Sequence, residues 1–180
     1  MRLAGRAVDD DEWIEAFVDR QPMGALGLVD EGSPYVVNQL FVYDDAVGAI
    51  YLHGAATGRT RRIVEAGDPA EASLAISEMG QLLPAEMPVD FDVEYASVVA
   101  FGDIHLVEGA ERKRAALESL MEKFAPQLTA GADYEPIADA SIDRTSVYRL
   151  DVEGWSGKRN EPDSFPGAYD YDAVRDEHEG

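Results

Sequence analysis

Three arginines, Arg59, Arg61 and Arg62, fall within four positions directly after the small-residue run Gly54-Ala-Ala-Thr-Gly58. Small residues let backbone N–H groups approach an anion, a helix start adds partial positive charge, and guanidinium groups supply bidentate donors. Phosphate is the anion such a segment fits. It is not a nucleoside triphosphatase loop: Gly54 to Thr60 is one residue short, and Arg59 stands where lysine is required. The same residues also fit a plain turn followed by a solvated helical face whose arginines pair with nearby carboxylates. The sequence leaves both readings open.

His53 stands immediately before this run, at the end of an apolar stretch. A neutral imidazole there can hydrogen-bond a ligand or move a proton near neutral pH, or it can be a structural histidine tied to the backbone. His105 and His178, the other two histidines, show no metal-ligand spacing with it, so no metal site is expected. Asn38 and Gln39 interrupt an apolar strand; side-chain amides can read the edge of a heterocycle or pair across strands. Ser97 lies outside any Gly-x-Ser-x-Gly context, which removes support for a hydrolase nucleophile. Trp155 and Lys158, in Gly154-Trp-Ser-Gly-Lys158, could cover a flat ligand or serve packing and solvation.

The elements that must position these groups are mostly short strands. Residues 10 to 20 read as a helix with Trp13, Ile14, Phe17 and Val18 on one face and the aspartates at 9 to 11 at its start. Residues 24–29, 35–43 and 49–53 read as strands joined by tight turns, which predicts an antiparallel meander. A helix follows from Thr57 to Gly67, then a strand over 72–76 and a loop over 79–88. Residues 89–107 predict two strands or one long bent strand passing Gly102. A helix is expected over 111–124 with Leu117, Leu120, Met121 and Phe124 inward, then a connector over 127–141 and a last strand over 146–152. Trp155 and Lys158 are expected to follow that strand. The organisation predicts a mainly β domain over residues 1–159, a small closed or half-open barrel with peripheral helices, with an α+β sandwich as the competing arrangement, and an acidic, extended or disordered tail over 160–180.

Composition narrows the function. With 36 acidic and 15 basic residues in 180, the formal net charge is −21, a surface that repels phosphate backbones and anionic lipid. No nucleic-acid or membrane partner is expected. Only three basic residues are lysine, and this acid excess suits a high-salt cytoplasm, with an acidic protein of a mesophile as the alternative. The absence of cysteine excludes disulfides, thiolate metal sites and a cysteine nucleophile. No apolar run approaches the roughly 20 residues of a membrane span, and the first residues lack the apolar core of a secretory signal. A soluble cytoplasmic protein is the expectation.

Four segments taken together resemble the pyridoxamine 5′-phosphate oxidase-related, FMN-binding split-barrel proteins, in particular the flavin-nucleotide-binding branch that includes nitroimidazole-resistance proteins. They are Pro34-Tyr-Val-Val-Asn-Gln-Leu-Phe-Val-Tyr-Asp44, Ile50-Tyr-Leu-His-Gly-Ala-Ala-Thr-Gly-Arg59, Tyr95-Ala-Ser-Val-Val-Ala-Phe-Gly102 and Gly154-Trp-Ser-Gly-Lys158. The resemblance spans roughly residues 10 to 159. It implies a six-stranded antiparallel split β-barrel that forms a homodimer with FMN at the interface. His53, Gly54, Ala55, Gly58, Arg59 and Arg62 would hold the phosphate end, with Arg59 first and Arg62 second. Asn38, Gln39, Ser97 and Val98 would line the ring or ribityl chain, and Trp155 and Lys158 would come from the other subunit. The implied activity is oxidoreduction with NAD(P)H as donor and a small planar acceptor, a nitroaromatic first among them, with His53 delivering a proton or fixing the acceptor. A flavin carrier or sensor without turnover, and a heme- or deazaflavin-binding relative, are the alternatives. The chain departs from the branch at Asn38, where proline is common, and at Ala96, where arginine is common. Residues 155–160 do not match the substrate-phosphate signature of true pyridoxamine phosphate oxidases, so a vitamin B6 enzyme is not expected.

Overall fold

The alternation of apolar residues in the strands closes one sheet on itself. The computed structural model describes residues 4–178; the outermost ends of the two predicted segments lie outside the described residues. The elements are β1 (Ala7–Val8), α1 (Asp11–Arg20), β2 (Met23–Asp30), β3 (Ser33–Asp44), β4 (Ala49–Ala55), α2 (Arg59–Gly67), β5 (Ala70–Leu83), β6 (Asp92–Leu106), α3 (Ala110–Phe124), α4 (Asp139–Asp143), β7 (Thr145–Asn160) and α5 (Tyr171–His178). Every strand pairing is antiparallel, and six strands form a ring in the order β7–β4–β3–β2–β5–β6 and back to β7. The two residues of β1 lie against the second half of β7. This is the expected six-stranded split barrel.

The core follows from the period of two. Leu26 and Leu28, Ile50 and Leu52, Leu74 and Ile76, Val98 and Ala100, and Tyr148 and Leu150 all point inward and are buried. Helix α1 closes one end of the barrel with Ile14, Phe17 and Val18; its N-cap Asp10 accepts a hydrogen bond from the Trp13 amide at 3.2 Å. Helix α2 buries Ile63 and Val64.

Four expectations need correction. Strand β5 continues through Leu83, over residues read as loop, because it leaves the barrel as a ribbon with β6. Only Ser73 to Ala75 of it also pairs with β2, so the later residues carry no one-sided apolar pattern. Strand β7 runs to Asn160, so Trp155 and Lys158 lie on it rather than after it; glycines at 154 and 157 hide the strand in the sequence, yet both pair with β6. Helix α3 buries Ala116 and Leu120, with Phe124 exposed. Last, the tail is not extended or disordered along its length: Tyr169 and Leu82 exchange backbone hydrogen bonds of 2.9 and 3.2 Å, and α5 follows. Among the described residues, no helix is long and apolar enough to cross a membrane and no acidic or histidine cluster could hold a metal ion.

Candidate functional site

The turn from β4 into α2 places the residues that sequence singled out first. Ile50, Leu52 and Gly54 of β4 face the barrel interior, so Tyr51, His53 and Ala55 face outward. Gly58 forms the N-cap of α2 with φ +138°, a backbone conformation that disfavours any side chain, and a Cβ there would meet open space. No side chain caps the helix, so its first N–H groups are left for solvent or a ligand.

Behind this helix start the arginines are held by Asp30, at the end of β2. Arg59 Nε donates to Asp30 Oδ2 at 2.6 Å, and Arg62 donates to both carboxylate oxygens at 3.0 and 2.8 Å. Arg59 also lies over the Tyr35 ring at 4.5 Å, and the Tyr35 hydroxyl meets Thr60 Oγ1 at 3.3 Å. Arg61 donates to the buried Ser146 hydroxyl at 3.2 Å and to Glu65 at 3.2 Å. Hydrogen bonds first from Arg62 and then from Arg59 hold the Asp30 carboxyl below its ordinary range, and the same bond raises Arg62. The pairing of arginines with a nearby carboxylate, one of the two sequence readings, is therefore present; the open helix start required by the other is present too.

A pH prediction follows from the sign of that shift. A carboxylate with a folded pKa below its unfolded value, about 3.9, stabilises the fold above that value. The stabilisation is lost as pH falls through the lowered folded value. Asp92, lowered chiefly by its hydrogen bond from Arg6, acts in the same window. Asp30→Asn is expected to flatten part of the acid limb of stability against pH without removing it. Urea unfolding at a series of pH values from 6 downward measures this, and an unchanged acid limb would show that the pairing carries no stability.

His53 is half-buried on the outer face, opposite Val147 of β7, and its Nδ1 is enclosed with no hydrogen-bond partner among the described residues. A structural histidine would be satisfied there. Asn38 and Gln39 fall on opposite faces of β3: Asn38 is exposed outward and Gln39 faces in, so one chain cannot aim both at one ring. Ser97 lies outward on β6 opposite Lys158, whose ammonium sits 5.7 Å from the Tyr95 ring. The Val98 side chain is fully buried in the core and cannot touch a ligand on the barrel's outside. Trp155 is half-buried and packs edge-on against Tyr43 at 5.7 Å.

Two groups of residues result. One holds His53, Gly54, Ala55, Gly58, Arg59 and Arg62. The other holds Ser97 and Lys158, with Trp155 nearer the middle. On β7 the first group is level with Val147 and the second with Lys158, eleven residues on. That is roughly 35 Å of chain measured along the strand, and it sets the two groups on different parts of the barrel's outer face. Sequence reasoning missed Asp30, Tyr35, Thr60 and Ser146. Nothing local marks Asp30 among 36 acidic residues; only the β2–β3 turn brings it to α2.

Comparison with known proteins places this arrangement. A family model described as pyridoxamine 5′-phosphate oxidase matches residues 10–159. No curated protein matches the chain. Among solved structures, the flavocytochrome Anf3 from Azotobacter vinelandii is 22% identical, with a TM-score of 0.78, covering 98% of this chain and 77% of its own. The FAD and heme binding protein from Mycobacterium smegmatis is 19% identical, with a TM-score of 0.76, covering 94% of this chain and 80% of its own. A proposed 5-nitroimidazole antibiotic resistance protein from Bacteroides thetaiotaomicron is 20% identical, with a TM-score of 0.70, covering 86% of this chain and 90% of its own. At these identities the likeness is one of fold.

Proposed function

The chain belongs to the pyridoxamine 5′-phosphate oxidase family, and on that footing we propose that it is an FMN-binding oxidoreductase acting as a homodimer. The observation that carries this reading is the pairing of an uncapped α2 N-terminus, flanked by Arg59 and Arg62, with the enclosed and unpartnered Nδ1 of His53. An anion and a hydrogen-bonding ring would satisfy both.

The residues fit such a cofactor. The phosphate would meet the first N–H groups of α2, while Arg59 and Arg62 exchange part of their hydrogen bonding from Asp30 to the phosphate oxygens. Asp30 then holds the two guanidinium groups in place before binding, at the cost of competing with the ligand afterwards. Gly54, Ala55 and Gly58 present little side chain and allow close approach. Flavin, when bound, supplies the hydride and electron transfer.

A homodimer is part of the proposal because the two groups lie on different strands of the barrel's outer face. In such a dimer, Ser97 and Lys158 of one copy would face a flavin held by His53 and Arg59 of the other. The outer face between them exposes Met23, Val36, Leu40, Met79 and Phe101 on β2, β3, β5 and β6. In a chain of net charge −21, apolar contact of this kind is the means by which two copies can associate.

The proposed donor is NAD(P)H and the proposed acceptor a small planar molecule, a nitroaromatic in the first instance. His53 would hold or deliver a proton beside the acceptor. The test is steady-state turnover of NADH and NADPH by the FMN-loaded protein with a nitroaromatic acceptor. His53→Gln is expected to keep the flavin and to lower turnover about a hundredfold. Full flavin binding with no oxidation of either nucleotide would replace this reading by that of a flavin carrier.

A further inference from the structure

A cavity of about 790 Å³ lies between α3 and the outer face of the barrel, and none of Asp30, His53, Arg59 or Arg62 lines it. Its floor is a single cross-strand row, Val42, Tyr51, Arg149 and His105, contributed in register by β3, β4, β7 and β6. Its roof is a stripe of α3 that includes Ala116, Ser119 and Lys123, at helical spacing.

Two nitrogens on its wall, Lys123 Nζ and Arg149 Nε, are enclosed and have no hydrogen-bond acceptor among the described residues. Lys123 Nζ lies 4.4 Å from the Phe41 ring centroid and 5.9 Å from that of Phe124. Cation–π attraction offsets part of the cost of the buried charge, but a ring face does not replace three acceptors. Burial pushes the Lys123 ammonium below its ordinary pKa, against the opposing pull of Asp19. Arg149 pairs through Nη2 with Asp151 at 2.6 Å, and Asp151 also faces His105 Nδ1 at 3.5 Å, so Nε alone of that guanidinium is enclosed and unsatisfied. Acidic residues outnumber basic ones 36 to 15, so partners for a buried cation are abundant, yet neither nitrogen has one.

We propose that this cavity binds a small aromatic monocarboxylate, with Lys123 and Arg149 donating to its carboxylate and its ring lying against Tyr51 and Val42. The other lining carboxylates limit the charge of the ligand. Asp45, Glu108 and Glu122 are exposed at the rim and Asp44 is half-buried, and none forms an ion pair with Lys123 or Arg149. Four carboxylates against the one rim guanidinium, Arg112, would repel a polyanion, whereas one carboxylate on an aromatic ring satisfies the two donors and lays the ring against Tyr51 and Val42. A volume of this size is in the usual range for small-molecule sites.

The test is a 19F NMR titration of the purified full chain, its flavin content measured beforehand, with 4-fluorobenzoate and with the neutral 4-fluorobenzamide. The acid is expected to bind at least tenfold more tightly than the amide. Lys123→Met is expected to weaken the acid at least tenfold and to leave the amide unchanged. The substitution removes a buried charge that has no hydrogen-bond acceptor among the described residues and keeps the stem's volume, so the fold should persist, and a thermal melt checks it. Equal affinity for acid and amide, no binding of either at millimolar concentration, or undiminished binding of the acid by Lys123→Met would each overturn the proposal. None of these results bears on FMN binding at α2, which is measured separately.

Discussion

FMN is expected to bind about a hundredfold more weakly when Arg59 and Arg62 are both exchanged for alanine. Each guanidinium can form charge-assisted hydrogen bonds to phosphate, worth roughly 1.5–3 kcal/mol apiece. Both side chains are about half exposed, 47% and 55%, so the lower end of that range applies. Two such losses come to about 3 kcal/mol, or two orders of magnitude in the dissociation constant. Quenching of FMN fluorescence on titration with protein measures it, and riboflavin is the internal control. Lacking the phosphate, riboflavin should bind the double variant as it binds the original chain. If FMN and riboflavin weaken together, the arginines support the fold of the loop and the phosphate lies elsewhere.

The second large effect is on stability. Gly102 lies where β6 and β7 change register, between the pairs Phe101 with Gly154 and Gly102 with Val152. A Cβ at Gly102 would lie 1.8 Å from the Asp151 carbonyl oxygen and 3.0 Å from its carbon. Those atoms belong to the backbone of the longest strand in the ring, so they cannot swing aside as a side chain would. Gly102→Ala must separate β6 from β7 at the point where the barrel closes. The expected cost is about 4 kcal/mol or more, seen as a fall in Tm of about 10 °C in a chain of this size. Gly154→Ala is the control. A Cβ at Gly154 meets nothing within 4 Å, and its Tm should stay close to that of the original chain. Similar melting of the two variants would mean that the register change tolerates a side chain and that barrel closure does not depend on it.

Those two positions also show what could be read from the sequence and what could not. The long β-rich run across Gly102 was legible, but the sequence left open two strands or one bent strand, and the register change at Gly102 comes only from its pairing with β7. The six strands of the ring, α1 and α2 were legible because one face of each is buried, so apolar residues recur at the period of the element. The outer ends of β5 and β7 were not. There the chain pairs with β6 beyond the main body of the barrel, and backbone hydrogen bonds hold a strand whose side chains follow no apolar alternation. The helix face of α3 was misread at Phe124 because apolar spacing alone does not say where a helix stops being covered.

At the site, the arginine cluster and His53 stood out because few residues in so acidic a chain could meet an anion. Asp30 did not, since its role comes from the β2–β3 turn and not from its neighbours in sequence. Lys123 and Arg149 are 26 positions apart, and the cavity between them comes from α3 folding back over four strands. The assignment of Val98 to the site fails for a simple reason of parity. It is next to Ser97, so on a strand it points the other way, into the core.

The account rests on flavin held at the start of α2, and the most direct test is the visible absorption spectrum of the purified chain after incubation with FMN and gel filtration. The prediction is a flavin spectrum co-eluting with a dimer at one FMN per chain, with FMN released on denaturation. A colourless protein that retains no FMN after this treatment would contradict it, and the residues around Arg59 and His53 would then need another ligand.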